Sequence, residues 1–408
     1  MSKRTVLALL LIVASAAPAL AQAIEDPGPH PVGWRDVTFV NPGGGGNLEA
    51  RIYYPALAAG QGAPSDPAQG PYPLVAMLHG WLGSPSSYDE LSTHVASWGF
   101  VLGSIDTETG FFGSMQPEAQ DAANMLAWID AESDDPTSFL LGMASDDDWS
   151  ATGHSMGGGA LFYLIGYEPK VRVIVPLQPY KGTSLGGSAG STAFLQAFDG
   201  ALLIVTGELD TAAPASTDGH AYFELAGSAR RGLYTEVLGM GHLGPTDSPP
   251  DGEPLSGDDQ HRLHRRLVTG FLRAEILGEE ELYLDLLGEG AASEPLVQES
   301  ASKDPPFWAA PSVVQPGNVV AGLAATPGDQ VGIAVSLAPA SIPTIYGTLG
   351  LDLSMGTILH QGLLVAPGIL ELAGPVPPSL SGVTLWFQGL ALGTDHQLLT
   401  SVSSFVAP

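Results

Sequence analysis

Between residues 35 and 285, short apolar runs alternate with stretches in which apolar side chains recur every three or four positions. The first two runs, 36–40 and 48–54, are typical of strands and flank a Gly-rich turn at 41–46. Strands that alternate with helices favour a mostly parallel sheet with helices on both faces, so the pattern predicts an α/β domain. The later strands are predicted at 73–78, 100–105, 149–152, 171–177, 201–205 and 233–238, and the helices at 88–98, 116–130, 156–167, 215–226 and 260–277.

The pattern changes near residue 290. Residues 291–306 are rich in Ala, Ser, Glu and Pro, a composition that predicts a linker. The chain beyond them has no Lys or Arg, and short apolar runs such as 331–335 are separated by Gly and Pro turns. Such spacing is typical of an all-β sandwich. We therefore predict the α/β domain at 24–290 and a C-terminal sandwich-like β domain at 307–408.

The start of the chain has the pattern of a secretory signal peptide. Two basic residues precede an apolar run at 6–17 that is short for a membrane span. Small residues provide cleavage sites near Ala21 and Ala23, so we expect residues 1–23 to be removed and the mature protein to be secreted. A buried first strand or a membrane anchor is the alternative. No later stretch of the sequence is long and apolar enough to be a transmembrane helix.

Charge and cysteine content exclude several classes of function. The net charge of −29 argues against nucleic acid or an anionic membrane as a partner. The absence of cysteine excludes a disulfide, a thiolate nucleophile and a Cys-ligated metal. The acidic stretch 247–259 is a candidate Ca²⁺ site, but its expected role is that of a solvated run of charges. We expect no cofactor, no metal and a monomer.

One motif points to nucleophilic catalysis. Gly153, Ser155 and Gly157 fit G-x-S-x-G, in which a serine lies on a strained turn between a strand and a helix. The predicted helix at 156–167 would place its N-terminus behind the serine, where an oxyanion develops. The strand before the motif is the weak element, because three aspartates precede 149–152, and we predict it as short because the motif needs a strand there.

Two further residues complete a catalytic constellation. Acyl transfer needs a nucleophile, a base and a group that orients the base, and in this type of site they follow the chain order Ser, acid, His. Ser155, Asp210 and His242 occur in that order, each just after a predicted strand. Glu208 and Asp218 are the competing acids. The other histidines lie on predicted helices, in the β domain or before Asp210.

The oxyanion donors and the walls of the cleft are expected from placement. Two backbone N–H groups are candidates: that of Met156, after the nucleophile, and that of Trp81, in the loop after the strand at 73–78. The side chains of Trp81 and Tyr180 are candidate walls of a substrate cleft. Ordinary packing of these two rings is the alternative.

These motifs occur together with several others, and over residues 35–285 the chain resembles the bacterial cutinase-like polyester hydrolases, which include the poly(ethylene terephthalate) hydrolases. It resembles the dienelactone hydrolases more distantly. The resemblance implies an α/β-hydrolase fold, backbone oxyanion donors at Trp81 and Met156, and a substrate-stacking residue at Tyr180. The segments that carry it are 52–55, 80–81, 86–87, 99–101, 105–107, 153–159, 176–180, 208–214 and 241–242.

The chain departs from this family in three ways. Tyr180 stands where the family usually has tryptophan, the family's C-terminal disulfide has no cysteines here, and both a Gly- and Ser-rich insertion at 182–193 and the β domain are atypical. We predict a secreted serine ester hydrolase, with polyesters among its candidate substrates. A lipase and a small-ester carboxylesterase are the alternative enzymes. A surface-binding protein with a vestigial hydrolase fold is the alternative from another class.

Overall fold

A ten-stranded sheet organises the first three hundred residues. The computed structural model describes residues 22–408, so the predicted signal peptide lies almost entirely outside the described residues. The strand order is β10-β9-β8-β7-β6-β4-β5-β2-β1-β3, and the six strands β4 to β9 are parallel to one another. The strands are β1 (Val32–Val40), β2 (Asn47–Pro55), β3 (Gly60–Gln61), β4 (Tyr72–Leu78), β5 (Val101–Ile105), β6 (Ala144–His154), β7 (Val171–Leu177), β8 (Ala201–Gly207), β9 (Arg231–Val237) and β10 (Leu296–Ser300).

Helices cover both faces of this sheet, and each face has its own core. Every residue of β4 is buried, and alternate side chains such as Leu74 and Val75 belong to opposite cores. Residues of α2 and α3 fill one core, and residues of α1 and α6 fill the other. The helices are α1 (Asp89–Ser97), α2 (Met115–Asp134), α3 (Met156–Tyr167), α4 (Ala189–Ala197), α5 (Gly219–Leu225), α6 (Gly257–Ile276) and α7 (Tyr283–Leu286).

Antiparallel sheets make up the C-terminal part of the chain. A three-stranded sheet has the order β11-β12-β17, a four-stranded sheet has the order β16-β13-β18-β19, and β14 pairs with β15. Side chains from the first two sheets meet in one core that includes Phe307, Leu323, Ile333 and Phe387. The strands are β11 (Phe307–Pro311), β12 (Asn318–Ala324), β13 (Gln330–Ser336), β14 (Pro339–Thr344), β15 (Gly347–Leu351), β16 (Gly356–Leu363), β17 (Ile369–Pro375), β18 (Thr384–Leu392) and β19 (Gln397–Val406).

Part of the stretch 291–306, which the sequence predicts as a linker, forms a strand instead. Its residues 296–300 form β10, which pairs antiparallel with β9 and makes one edge of the large sheet. Trp308 lies just beyond it, 1% exposed, and packs with the core on the α6 side of that sheet. Its indole N–H donates to Glu371 at 2.7 Å. The C-terminal strands are thus joined to the large sheet by a strand and by a shared core.

Other elements also differ from the sequence-based expectation, among them β6 and α4. Strand β6 begins at Ala144 instead of residue 149, because Ala144 already pairs with Tyr72 of β4. After a break in the register, the second half of β6 runs between β4 and β7. Helix α4 begins inside the Gly- and Ser-rich insertion at 182–193, where the sequence predicts no helix, and continues to Ala197. Ser188 caps it by accepting a hydrogen bond from the N–H of Gly190. Within residues 22–408, no helix combines the length and the apolar character that a membrane crossing requires.

Candidate active site

Ser155 lies at the turn between β6 and α3 in a conformation that few side-chain-bearing residues adopt. Its φ and ψ are 53° and −113°. The turn is held on both sides, because the N–H of Ser155 donates to the carbonyl of Leu177 at 3.0 Å and its own carbonyl accepts from Tyr180 at 2.9 Å. A Cβ at Gly157 would lie 2.4 Å from the carbonyl oxygen of Leu78, so only glycine allows this helix start to pack against β4.

Positive φ recurs around the same end of the sheet. Among the residues described, the non-glycine positions with positive φ are Leu82, Glu108, Ser155 and Gln178. They follow β4, β5, β6 and β7 in turn, so all four are on loops at the carboxyl ends of neighbouring parallel strands. Each such conformation costs on the order of 1–3 kcal/mol and is found mainly at functional sites. The backbone strain therefore points to a functional site at the carboxyl ends of these strands.

The structure brings the three predicted catalytic residues together in one line of hydrogen bonds. Oγ of Ser155 lies 2.8 Å from Nε2 of His242, and Nδ1 of His242 lies 2.7 Å from Oδ2 of Asp210. The other oxygen of Asp210 accepts the backbone N–H groups of Ala212 and Ala213, both at 2.8 Å. An ionised carboxylate can only accept hydrogen bonds, so it accepts one from Nδ1–H, and Nε2 is left as an acceptor that faces the serine hydroxyl.

The two competing acids have other partners. Glu208 accepts the N–H of Gly239 at 2.9 Å, which ties the loop after β8 to the loop after β9. Asp218 accepts the N–H of Lys181 at 2.6 Å. Of the three acids, Asp210 is the one that contacts His242.

The loop after β4 lies directly against the serine turn. The carbonyl of His79 accepts the N–H of Gly157 at 3.0 Å, and a Cβ at Gly80 would lie 3.4 Å from Cβ of Ser155. The N–H groups of Trp81 and Met156 have no acceptor among residues 22–408. Two unpaired donors on segments that adjoin the serine can receive the negative oxygen of a tetrahedral intermediate.

His154 is a residue that the sequence analysis did not single out. It is buried, and its Nε2 lies 2.7 Å from the carbonyl of His242 while its Nδ1 lies 2.8 Å from the hydroxyl of Tyr88. That hydroxyl also accepts the N–H of Gly80 at 2.9 Å, so its proton is directed to Nδ1 and Nε2–H donates to the carbonyl. Burial lowers the pKa of His154 well below its ordinary value. The neutral ring therefore joins the loop after β4 to the loop that carries His242.

An open cleft of about 950 Å³ lies over Ser155 and His242. Trp81 and Tyr180 both line it. The hydroxyl of Tyr180 bonds with Ser184 at 2.7 Å, which places the ring at the start of the stretch 182–193. Phe111, on the loop after β5, lines the cleft as well. The sequence signal for it was a pair of phenylalanines just after the carboxyl end of a strand.

The acidic stretch 247–259 makes hydrogen bonds with neighbouring loops. Asp247 accepts the N–H of Glu90, and Glu253 accepts the N–H of Gly241, next to His242, at 2.8 Å. No group of three or more His, Cys, Asp or Glu within the described part of the chain is arranged to hold a metal ion. Glu253 instead supports the loop of His242.

Comparison with known sequences matches this site to a family. A sequence model of the PET hydrolase-like family matches residues 14–251, which include the serine turn and the loops of Asp210 and His242. The chain belongs to the PET hydrolase-like family. It is therefore a carboxylic ester hydrolase with an α/β-hydrolase fold. The match to the PET hydrolase-like family ends before α6, so the C-terminal sheets lie outside it.

Curated relatives agree at modest identity. Cutinase cut1 of Thermobifida fusca is 27% identical over 252 residues, which cover 58% of this chain and 70% of that protein. Cutinase 2 of Thermobifida cellulosilytica is 28% identical over 174 residues, or 43% of this chain and 62% of that protein. Bis(hydroxyethyl) terephthalate hydrolase of Streptomyces coelicolor is 25% identical over 185 residues, which cover 45% of this chain and 55% of that protein. Together they support a PET hydrolase-like enzyme of cutinase type.

Proposed function

We propose that this protein cleaves carboxylic esters, polyesters among them, through an acyl-enzyme intermediate on Ser155. The observation that carries the proposal is the unbroken line of hydrogen bonds from Ser155 through His242 to Asp210, with 2.8 Å and 2.7 Å between the bonded atoms. This is the geometry that activates a serine hydroxyl for attack on an acyl carbon.

The reaction follows from these contacts in two halves. Oγ of Ser155 bonds to the carbonyl carbon of the ester while its proton moves to Nε2 of His242. The tetrahedral intermediate collapses, the bond to the leaving oxygen breaks, and His242 returns the proton to the departing alcohol. A water molecule then attacks the acyl-enzyme by the same route, with His242 as base, and releases the acid. Asp210 holds the ring and stabilises its positive charge in both halves.

The negative oxygen of each intermediate needs fixed donors. We assign this role to the backbone N–H groups of Trp81 and Met156, because they are unpaired within the described chain and adjoin Ser155. Loss of one oxyanion donor typically costs a factor of about 10²–10³ in kcat. The N-terminus of α3 adds its partial positive charge at the same place.

The cleft supports a substrate with apolar or aromatic units. Trp81 and Tyr180 present rings beside the reacting serine, and the relatives include enzymes named cutinase and bis(hydroxyethyl) terephthalate hydrolase. A ring that stacks on an acyl unit contributes roughly 0.5–1.5 kcal/mol beyond burial of its area. An extracellular site of action, which the predicted signal peptide favours, would give such an enzyme access to insoluble polymers.

We also propose that the chain has two structural units. The first ends after β10 and carries the catalytic residues, and the second is a C-terminal β sandwich that begins at β11. The shared core around Trp308 supports a fixed attachment between them.

Labelling with a fluorophosphonate probe tests the nucleophile. The parent protein should be labelled on Ser155, and Ser155→Ala should not be labelled while it keeps the parent's melting temperature. Product analysis on short esters, triglycerides, and aliphatic and aromatic polyesters then defines the substrate class. Labelling of a different residue, or no ester hydrolysis by a folded parent protein, would overturn the proposal.

A further inference from the structure

Three aromatic side chains form a continuous surface that leads from the cleft into solvent. The rings of Trp81 and Phe111 have their centroids 5.4 Å apart, and those of Phe111 and Phe112 are 5.5 Å apart. Both pairs meet edge to face, a favourable arrangement for aromatic rings. We call Trp81, Phe111 and Phe112 the aromatic ledge. The exposed fraction of its side chains rises outward from 39% to 68% to 92%.

The ledge is held in place by its own loop. The indole N–H of Trp81 donates to the carbonyl of Phe111 at 3.0 Å, which fastens the loop after β5 to the loop after β4. Within the loop, the carboxylate of Glu108 accepts the N–H of Ser114 at 2.9 Å. A Cβ at Gly113 would lie 2.2 Å from the carbonyl oxygen of Glu108, so the loop doubles back on itself there. The two phenylalanines are therefore presented by a closed and supported turn.

Exposure of these rings to water is unfavourable unless a ligand covers them. A single exposed apolar residue needs no explanation, but a contiguous apolar patch marks a binding surface. This patch is continuous with the cleft, because Trp81 and Phe111 also line the cavity over Ser155. What covers the ledge therefore reaches the serine as well, and in an ester hydrolase that ligand is the substrate.

Charge narrows the class of substrate. The protein carries a net charge of −29, which disfavours anionic ligands over its surface. The ledge's loop carries two carboxylates, Asp106 and Glu108, and that of Glu108 accepts the N–H of Ser114. A neutral chain of apolar or aromatic units joined by esters fits both the ring surface and this charge.

We propose that the aromatic ledge binds the part of a polyester chain that extends beyond the ester being cleaved. It thereby makes the enzyme favour long ester chains over short esters. A short acetate ester ends inside the cleft and gains nothing from Phe112, whereas a chain several units long lies across all three rings. This inference rests on the proposed ester hydrolysis at Ser155.

The test compares two soluble substrates on the same variants. For Phe111→Ala, Phe112→Ala and the double variant, kcat/KM is measured on p-nitrophenyl acetate and on a soluble terephthalate ester of three repeat units. The ratio of the long to the short substrate should fall roughly threefold to tenfold per ring removed, the size expected of one stacking contact. Phe112→Leu, which keeps apolar area but loses the ring, should lie between parent and Phe112→Ala.

Ile345→Ala is the matched control, because Ile345 is 87% exposed in the turn between β14 and β15 and does not line the cleft. Its substrate ratio should equal that of the parent. An unchanged substrate ratio in the double variant, with the parent's melting temperature, would contradict the proposed role of the aromatic ledge. An equal fall of the substrate ratio in Ile345→Ala would also contradict the proposal, because it would indicate unspecific adsorption of the long substrate to exposed apolar side chains. A folded parent that cleaves neither substrate would instead refute the proposed function.

Discussion

The backbone carbonyl of His242 accepts a hydrogen bond from Nε2 of His154, 2.7 Å away. The residue before the proposed nucleophile therefore holds the loop of the proposed base. Through Tyr88 the same ring is joined to Gly80, beside the proposed oxyanion donor Trp81. One buried, neutral imidazole thus joins two loops whose proposed roles, proton transfer by His242 and binding of the oxyanion at Trp81, concern the same ester group of the substrate.

Removal of the Tyr88 hydroxyl should slow the reaction more than it weakens binding. Tyr88→Phe leaves the N–H of Gly80 and Nδ1 of His154 without their partner, so both loops lose a fixed contact. We expect kcat to fall roughly ten- to a hundredfold, because small misplacements of catalytic groups are costly, while KM on p-nitrophenyl acetate stays within about threefold. Tyr163→Phe is the matched control, since its hydroxyl bonds Gly186 and Ser188 away from the serine. Equal effects of the two variants on kcat would show that Tyr88 has no positioning role.

Loss of the nucleophile and loss of the base should not add. Ser155→Ala and His242→Ala should each lower kcat by a factor on the order of 10⁴–10⁶, and the double variant should be little worse, because the residues act as a unit. The measurement is kcat on p-nitrophenyl butyrate, with circular dichroism to verify the fold. Losses that multiply in the double variant would count against the assigned roles.

Tyr180 should matter for large substrates and not for small ones. Tyr180→Ala removes a ring that lines the cleft, so kcat/KM on a soluble aromatic diester should fall roughly threefold to tenfold, while that on a short acetate ester changes by less than about threefold. Tyr180→Phe keeps the ring and loses only the bond to Ser184, so it serves as the control. Tyr180→Trp should be tolerated. Similar losses of Tyr180→Ala on both substrates would mean that the ring only packs.

The end of the catalytic unit can be located by truncation. A chain that ends at Glu294 lacks β10, whereas a chain that ends at Pro305 keeps it, and both lack Trp308. We expect the shorter chain to melt roughly 5–10 °C lower than the longer one, since each kcal/mol corresponds to about 2–4 °C in a domain of this size. The melting temperatures and the activities on p-nitrophenyl acetate decide it. Equal melting temperatures and activities of the two chains would show that residues 296–300 act only as a linker.

Buried histidines should make the protein less stable in acid. Burial lowers the pKa of His264 to about 4 and that of His94 to about 4, so both are neutral in the folded protein where the unfolded chain is protonated. Between pH 6.5 and pH 4 the unfolded state binds more protons, and the free energy of unfolding falls as the pH falls, by about 1.4 kcal/mol per pH unit for each such group. Urea unfolding of His264→Leu and parent at pH 7, 6 and 5 measures this directly. The variant should lose about that much of the slope, and an unchanged slope would contradict the assignment.

The sequence predicted best where hydrophobic period and turn chemistry agree. Helix α3 and strand β7 have the predicted bounds, because each is a mostly apolar run and the polar turn with Pro169 separates them. The residues of the proposed triad could be chosen from chain order and from their positions after strands, and the parallel sheet brings the ends of those strands together.

Elements without a strong local pattern could not be predicted. The short run in β10 is stabilised by pairing with β9, a partner distant in the chain, and α4 consists largely of small residues that leave no amphipathic stripe. The role of His154 depends on Tyr88 and His242, far apart in sequence, so no spacing rule finds it. The aromatic ledge depends on how two loops meet in space.

Strand β10 has a further consequence while the chain is being made. Because synthesis runs from the N-terminus, β9 leaves the ribosome well before the residues of β10, and α6 and α7 are made in between. Until β10 arrives, the outer edge of β9 presents unpaired N–H and C=O groups to other nascent chains. Slow elongation across residues 238–295 would lengthen that interval, so we expect slow synonymous codons in this stretch to lower the yield of soluble protein.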